Sequence, residues 1–322
     1  MKRARAESFD VLGLGVAAVD DVLYVPSYPA AETKVRVAHS VRRCGGLTAA
    51  ALVAAARVGA RCAYAACLGM DELSEHIVSN LASEGINIQH APRLPEARVV
   101  HSTIIVGQDT GSRNIFFETG GLIGAHDTLP SDEIIRAAKV LFIDHYGMRG
   151  NLRAARIARA ARVPIVADFE NETVPLFQEV LKLVDHLILS EGFALRLTRA
   201  ATPAEAARAL WKPDRAAVIV TSGPAGCWSV SAEHDTAAQH HPAFTVEVAD
   251  STGCGDVFHG VYAARLARGD DLRQRIRFAS AAAALKALEA ETPSRAAVER
   301  FLRENQVGKS ERKPRMNTDG HR

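Results

Sequence analysis

The sequence predicts an α/β fold, with a three-layer, doubly wound, mostly parallel sheet and a small β-sheet lid. Short apolar runs rich in β-forming residues alternate with longer stretches rich in alanine, leucine and arginine. The runs are apolar almost throughout, which is typical of parallel strands that helices cover on both faces. Two further segments alternate apolar and polar residues, as strands exposed on one face do. These two segments predict the lid.

Six of the apolar runs are the predicted core strands. They read FDVLGLG, CAYAACLG, AKVLFIDHY, VPIVADF, DHLILS and AAVIVTS. Between the first two lies LTAAALVAAARVGA, which is a predicted helix. Gly59 is placed to end it, because glycine readily takes the left-handed conformation that follows many helices.

The lid is predicted from about 20–44 and from 97–120. Within these segments KVRVAHS at 34–40 and RVVHSTIIVGQDTGSRNIFF at 98–117 alternate in polarity. DTGS suits the turn of a hairpin that joins two antiparallel strands.

The composition is that of a globular chain with a sizeable core, since 48% of the 322 residues are apolar and 24% are charged. A net charge of +2 without a basic stripe does not predict nucleic-acid or membrane binding. The five cysteines form no C-x-x-C pair, and no apolar window is long enough for a transmembrane helix or a leader. We expect reduced thiols, a cytoplasmic location, one domain over 1–305 and a disordered tail over 306–322.

A glycine motif near the start invites a dinucleotide interpretation. GLGVAA, from Gly13 to Ala18, matches the relaxed fingerprint G-x-G-x-x-A. That fingerprint needs a helix whose amino end meets the pyrophosphate, whereas VDDVLYVPSYP follows here. The glycines are better explained by close passage of another segment, which directs attention to Asp20 and Asp21.

The stretch ADSTGCGDVFHG at 249–260 carries the strongest chemical signal. A strand-like FTVEV precedes it and a helix-like run follows it. A glycine-rich turn at a helix amino end is an anion site, because free N–H groups and the helix dipole point outward. Asp256 would repel a bound anion, yet it could take a proton from an attacking hydroxyl during phosphoryl transfer. On spacing alone, Asp256 is equally well a helix N-cap.

Other candidates come from strand ends and from the lid. Core strands end at Asp144, followed by His145, and at Asp168, where ligands gather in open α/β sheets. Lys34 and Arg113 could reach a phosphate or an acidic substrate, although edge-strand cations also prevent aggregation. The histidine pair at 240–241 has no third ligand at metal spacing, which predicts a surface loop.

The motif DSTGCGD resembles the D-T-x-G-A-G-D signature of the ribokinase-like (PfkB) sugar kinases. Other blocks resemble family segments in the same order over roughly 8–303. These blocks are VLGLGVAAVD, RCGGLTAAALVAAARVGA, LGMDELSEHIVSNLASEGI, GSRNIFF and VTSGPAG. The run HHPAFTVEVADSTGCGDVFHG is most similar to the branch containing sulfofructose kinase, and the N-terminal third also resembles ketohexokinase.

The resemblance implies ATP- and Mg²⁺-dependent transfer of phosphate to a sugar hydroxyl, and a homodimer that can form through the lid. Asp256 would be the general base, with an anion hole made by the amides of Gly253, Cys254 and Gly255. The matched positions for the nucleotide are Ser190, Thr221, Gly223 and Gly226. Those for the sugar are Asp20, Gly45 and Gly46, with Lys34 and Arg113 as further candidates.

The sequence departs from the family pattern at several places. GGLTAA puts Leu47 and Ala50 where asparagines are usual, and SEGF puts Phe193 where a glutamate near the magnesium site is usual. The metal ligands are therefore unknown, and a sugar or nucleotide sensor without activity is an alternative. A NAD-dependent oxidoreductase is a weaker one.

Two further departures concern the DSTGCGD turn. EAETPSRAAVERFL lacks the glycine-containing loop that helps form a monovalent-cation site in several relatives, which leaves such a site near Asp250 and Thr252 open. Cys254 replaces the usual alanine. It is either a thiol with a lowered pKa at a helix amino end or a small space-filling residue.

Overall fold

A computed structural model of the protein describes residues 8–110, 112–232 and 237–310, with side chains through 305 at the carboxyl end. The strands in this part are β1 (Phe9–Leu14), β2 (Ala18–Val25), β3 (His39–Gly45), β4 (Cys62–Tyr64), β5 (Val100–Gly107), β6 (Arg113–Glu118), β7 (Ala138–Asp144), β8 (Ile165–Asp168), β9 (His186–Ser190), β10 (Ala217–Thr221), β11 (Cys227–Ser231) and β12 (Gln239–His241). The helices are α1 (Leu47–Arg57), α2 (Glu72–Ser83), α3 (Asp132–Ala137), α4 (Met148–Ala161), α5 (Phe177–Leu181), α6 (Glu191–Thr198), α7 (Pro203–Leu210), α8 (Cys254–Ala267), α9 (Leu272–Glu289) and α10 (Arg295–Ser310).

The central sheet has eight strands in the order β12-β11-β10-β9-β8-β7-β1-β4. The six strands from β10 to β4 run parallel, whereas β11 and β12 add an antiparallel edge. All six predicted core runs contribute a strand to the parallel part. The predicted α/β fold with a mostly parallel sheet is thus confirmed.

Helices cover both faces of this sheet, which explains why its strands are apolar throughout. In β7, Val140 and Phe142 belong to the core under α1, α2, α8, α9 and α10. Their neighbours Leu141 and Ile143 belong to the core on the opposite face, under the helices from α3 to α7. Every residue of such a strand must be apolar, because successive side chains point to opposite faces.

The lid is a separate four-stranded sheet in the order β3-β2-β5-β6. Its outer pairs are antiparallel and its central pair, β2 with β5, is parallel. The predicted strand at 34–40 is wrong for most of its length, since β3 starts at His39. Tyr24 pairs with His39 and accepts a hydrogen bond from the Ala38 amide next to the end of β2, so residues 34–37 have no strand beside them. The predicted hairpin turn includes residue 111, which lies outside the described residues.

Three further predictions need correction. FTVEV at 244–248 forms no strand, because Phe244 packs against Phe301 of α10 instead of joining a sheet. The histidines at 240–241 lie in strand β12, not in a loop. The predicted tail at 306–322 begins too early, since α10 continues to Ser310, and the rest of it is outside the described residues. No helix in the described part is long and apolar enough to cross a membrane.

A buried carboxylate joins the segments around the amino end of the chain. The Oδ2 of Asp144 accepts hydrogen bonds from the Val16 amide and the Thr48 hydroxyl, both at 2.7 Å, and its Oδ1 accepts from the Tyr146 amide at 2.8 Å. A Cβ on Gly15 would lie 2.1 Å from this carboxylate. Asp144, predicted as a substrate contact, is fully buried and holds the β1–β2 turn and the start of α1 against β7.

Burial makes the stability contribution of Asp144 depend on pH. Desolvation raises the pKa of Asp144 from 3.8 to about 7, despite the three hydrogen bonds. An acid with a raised pKa in the folded state contributes most stability below its ordinary pKa, and this contribution falls as the pH rises to the folded pKa. Asp144 therefore contributes most near pH 4 and progressively less toward pH 7.

We predict that Asp144→Asn lowers the free energy of unfolding by about 1–3 kcal/mol, because the amide nitrogen faces a donor. The difference from wild type should shrink between pH 5 and pH 7, since only wild type carries this titration. Urea unfolding of both proteins at several pH values measures it. A difference that is constant or grows with pH would contradict the assignment.

Candidate functional site

The turn before α8 lines a cavity through Thr252 and Gly253, and within the turn the Cys254 amide donates to the Ser251 carbonyl at 3.3 Å. Gly253 is the N-cap of α8 in the left-handed conformation, with φ at 76°, which favours glycine. The amides of Ala249 and Asp250 donate to the Ala287 carbonyl at 2.8 and 3.1 Å, and this fixes the start of the turn. The first N–H groups of a helix have no partner within the helix, so the end of α8 is suited to an anion.

Asp256 lies in the first turn of α8, next to these amides. Burial raises its pKa well above the usual range, and the charges of Asp168, Glu170 and Asp20 raise it further, while His259 opposes the rise. The N-cap position belongs to Gly253, so the simple capping interpretation of Asp256 is not what the structure has. The arrangement is that of a carboxyl group that readily accepts a proton.

A buried histidine holds this end of α8 against the sheet. His259 Nδ1 lies 2.7 Å from the Gly255 carbonyl and 3.4 Å from Asp168 Oδ2, while its Nε2 lies 3.0 Å from the Ile188 carbonyl. Asp168 ends β8 and is itself buried, which raises its pKa well above the usual range. The histidine thus joins the first turn of α8 to the end of β8 and to the middle of β9.

The carboxylate of Asp20 on β2 lies across the glycine pair at the start of α1. A Cβ on Gly45 would lie 2.5 Å from Asp20 Oδ2. Gly46 has φ at 92°, and a Cβ there would lie 2.7 Å from the backbone of Ala17. Both glycines are therefore required by close approach, and burial raises the pKa of Asp20.

Two arginines connect the lid to the glycine turn. Arg43 Nη1 donates to Asp250 at 3.0 Å, and Arg113 Nη1 donates to the Thr252 hydroxyl at 2.9 Å. Although burial raises it, the pKa of Asp250 is lowered by hydrogen bonds from Thr252 and Arg43. The two aspartates that bracket the turn are thus different: Asp250 is engaged in ion pairing and Asp256 faces the cavity.

These elements enclose a cavity of about 510 Å³. Asp20 and Asp256 both line it, and the other predicted residues in its lining are Gly45, Gly46 and Gly253. Ala50 and Lys286 line it as well. A larger cavity of about 790 Å³ lies near the amino ends of β1 and β4.

The larger cavity is the weaker candidate for a site. Its described lining has two charged side chains, Arg61 and Glu84. Arg61 is 3.5 Å from Asp10 and Glu84 is 2.6 Å from Arg57, so both are paired. Ligands of open α/β sheets bind beyond the carboxyl ends of the strands, where the smaller cavity lies.

The predicted nucleotide residues occupy a neighbouring stretch of the same edge of the sheet. Ser190 and Thr221 are register partners at the ends of β9 and β10. A Cβ on Gly223 would meet nothing within 4 Å, so its surroundings are open. Gly226 is different, because a Cβ there would lie 2.0 Å from the His241 carbonyl, and packing alone accounts for it.

Other sequence candidates are placed away from the cavity. Lys34 is exposed in the connection between β2 and β3 and is not among the described lining residues. His145 is buried, which lowers its pKa to about 4. Phe193 packs in the core beside Phe177 and Arg196, so the usual glutamate position carries no metal ligand.

Two alternatives from the sequence concern the Cys254 thiol and the glycine fingerprint near the amino end. Burial raises the pKa of the Cys254 thiol, which favours the space-filling interpretation over a reactive thiolate. After Gly13 and Gly15 the chain enters strand β2, so the dinucleotide fingerprint lacks its helix.

Within the described residues, no group of three or more His, Cys, Asp or Glu side chains is arranged to hold a metal ion.

Sequence reasoning missed Arg43 and Lys286. The contact of Arg43 with Asp250 joins positions far apart in the chain, which no local pattern reveals. Lys286 had a visible signal: it is the single cation in the alanine-rich run AAAALKALEA. It was overlooked because lysine is ordinarily an exposed helix residue.

Comparison with known proteins agrees with this geometry. The bifunctional protein HldE of Stutzerimonas stutzeri (strain A1501) is 27% identical over an alignment of 262 residues that covers 78% of this chain and 53% of HldE. The chain thus spans about half the length of the curated relatives it matches. A crystal structure assigned as a ribokinase from Agrobacterium tumefaciens has 28% identity and a TM-score of 0.86, covering 94% of this chain and 99% of that one.

Arabidopsis thaliana ribokinase, whose structure contains ribose and ATP, shares the fold. Its TM-score is 0.79 at 20% identity, covering 92% of this chain and 99% of that one. The family model for pfkB family carbohydrate kinases matches residues 10–296, which include both the lid and the glycine turn. This chain therefore belongs to the pfkB family of carbohydrate kinases, which are phosphotransferases with an alcohol group as acceptor.

Proposed function

We propose that this carbohydrate kinase transfers the γ-phosphoryl group of ATP to a hydroxyl of a sugar or sugar derivative. The observation that carries the proposal is the joint position of Asp256 and Gly253. A carboxyl group and the N-cap residue of a helix line one cavity with Asp20. A base and an anion-stabilising site side by side are what phosphoryl transfer requires.

The proposed reaction is a single displacement at the γ-phosphorus of ATP. Asp256 takes the proton of the acceptor hydroxyl, whose oxygen forms a bond to the γ-phosphorus while the bond to the β-phosphate oxygen breaks. ADP leaves with the electron pair of that bond. The amides of Gly253, Cys254 and Gly255 stabilise the charge on the transferred group, which requires the Cys254 amide to exchange its 3.3 Å hydrogen bond to the Ser251 carbonyl for one to the phosphoryl group. Because burial raises the pKa of Asp256, the rate should rise with pH as this group loses its proton.

ATP is assigned to the edge of the sheet beside the cavity. Ser190, Thr221 and the open surroundings of Gly223 lie there, and the Arabidopsis ribokinase of the same fold contains ATP. Mg²⁺ in such sites keeps waters and is held by one or two carboxylates and by the phosphates. Glu170 fits this demand, because it is exposed and its charge acts on both Asp168 and Asp256. Bound Mg²⁺ would neutralise phosphate charge.

The acceptor is assigned to the part of the cavity between the lid and α1. The Asp20 carboxylate can accept hydrogen bonds from sugar hydroxyls, and Arg113 brings the lid onto the glycine turn. Ala50 lines this part of the cavity at a position where the family usually has an asparagine. Acceptor recognition therefore depends more on Asp20 and on the lid. Leu47 and Ala50 replace asparagines whose side-chain amides are usual at these positions. This loss also motivates the non-catalytic sensor, which the Asp256→Asn experiment separates from the kinase.

A homodimer through the lid is the proposed assembly. Strand β6 is a sheet edge that is exposed along its length. Ile115, Phe116 and Phe117 are 50%, 55% and 65% exposed, which is unusual for consecutive large apolar residues. A second copy pairing with this edge would cover both the apolar side chains and the unpaired backbone groups.

We predict that Asp256→Asn lowers kcat by about 1,000-fold, as loss of a general base does. The assay uses the acceptor found by screening sugars, sugar acids and nucleosides with Mg²⁺ and ATP. Asp271→Asn is the matched control, since Asp271 caps α9 and asparagine caps equally well. A near wild-type rate for Asp256→Asn would refute the role of Asp256, and an inactive wild type across a broad panel would favour the sensor.

We predict that Gly45→Ala raises KM for the acceptor by on the order of tenfold, because the new methyl displaces the Asp20 carboxylate. KM for ATP should stay within about twofold, since the nucleotide edge is not touched. Gly120→Ala is the control, as a Cβ there meets nothing within 4 Å. Equal increases in both KM values would contradict the assignment of Asp20 to the acceptor.

We predict that Phe117→Glu converts a dimer to a monomer, because the new charge would be buried between two lids. Sedimentation velocity of wild type and variant measures the change. Met70→Glu is the control, since Met70 is 64% exposed but lies outside the lid. A wild-type protein that sediments as a monomer would exclude the lid dimer.

A further inference from the structure

Lys286 is a buried cation beside the glycine turn. It lies near the end of α9, in a run of alanines, and only 8% of it is exposed. Lysine is rarely this buried, because removing an ammonium from water is costly unless anionic or polar partners replace the water. The surroundings of Lys286 therefore need an explanation.

The side chain of Lys286 reaches the turn that begins α8. A Cβ built on Gly253 would lie 3.8 Å from Lys286 Cε, and both residues line the cavity that contains Asp256. The charge of Lys286 acts on two residues at the turn, Cys254 and Asp250. Burial raises the pKa of Cys254 and Lys286 opposes the rise, and Lys286 also contributes to the lowered pKa of Asp250.

The hydrogen bonding described for the Lys286 ammonium satisfies only part of its donor capacity. Its Nζ donates to the Ala290 carbonyl at 3.0 Å, which satisfies one of three N–H groups. This bond caps the end of α9, as lysines near helix ends often do. Within the described residues it makes no ion pair, since Asp250 is engaged by Arg43 and by the Thr252 amide. Capping explains one donor, and among the described residues the Lys286 ammonium acts on Asp250 without forming an ion pair with it.

We propose that Lys286 is a catalytic residue that donates to the γ-phosphoryl group held at the Gly253–Gly255 amides. This inference rests on the proposed function. Among the described residues the ammonium of the free enzyme forms no ion pair, and bound ATP supplies an anion for it. During transfer, Lys286 and the amides stabilise the same developing charge from two sides, which is where fixed charges assist phosphoryl transfer most.

The test compares binding of Mg–AMP-PNP, which carries a terminal phosphoryl group, with binding of Mg–ADP, which does not. Lys286→Gln keeps a donor for the Ala290 carbonyl and removes the charge. We expect Lys286→Gln to weaken AMP-PNP binding by about tenfold, with ADP binding within about twofold, because a charge-assisted hydrogen bond to phosphate is lost. Isothermal titration calorimetry measures both.

Activity measurements distinguish this role of Lys286 from helix capping. Lys286→Gln should lower kcat by about 100-fold, while Lys286→Arg retains more activity because it keeps the charge. Lys212→Met is the matched control: Lys212 Nζ also donates to a backbone carbonyl, that of Lys182, at 2.7 Å, but lies away from the cavity. It should leave kcat and nucleotide binding unchanged.

Two results would overturn the inference. One is wild-type AMP-PNP binding by Lys286→Gln, and the other is an equal loss of AMP-PNP and ADP binding. Either would leave Lys286 as a helix cap. Failure of the proposed function has another signature, since wild type would then bind neither nucleotide or Asp256→Asn would stay active.

Discussion

The left-handed conformation of Gly253 is the constraint on which the site depends. It turns the chain so that α8 starts at the edge of the cavity, and it brings Asp256 into the first turn of the helix. A side chain at this position would be strained by its backbone conformation. The surrounding contacts maintain this geometry: Ala287 fixes the start of the turn, Arg113 and Arg43 hold it from the lid, and His259 holds α8 from the sheet.

Burial gives the ionisable groups of the site their separate roles. Asp144 is saturated by protein donors and is structural, whereas Asp256 faces the cavity with a raised pKa. Asp250 is held charged by Arg43 and Thr252 although burial opposes it. The same low-dielectric surroundings make the ammonium of Lys286 significant, since a charge is felt more strongly away from water. Position within the fold, more than residue type, decides what each group can do.

The core of the fold could be predicted from the sequence because its signals are local. A strand buried on both faces is apolar throughout, as Val140–Ile143 is, and a glycine-rich turn before a helix is visible as a motif. The errors arose where a distant partner decides the structure. FTVEV alternates like a strand, yet Phe244 packs on Phe301, and residues 34–37 alternate beyond the end of β2. Arg43 and Lys286 reach the site through tertiary contacts that no spacing encodes.

The proposed chemistry depends on where the transferred phosphoryl group binds, and a crystal structure of the protein with Mg–AMP-PNP would measure this directly. We expect terminal phosphoryl oxygens within hydrogen-bonding distance of the Gly253–Gly255 amides, with the Lys286 ammonium beside them and the Asp256 carboxyl facing the space for an acceptor hydroxyl. A terminal phosphoryl group bound away from the start of α8 would contradict it.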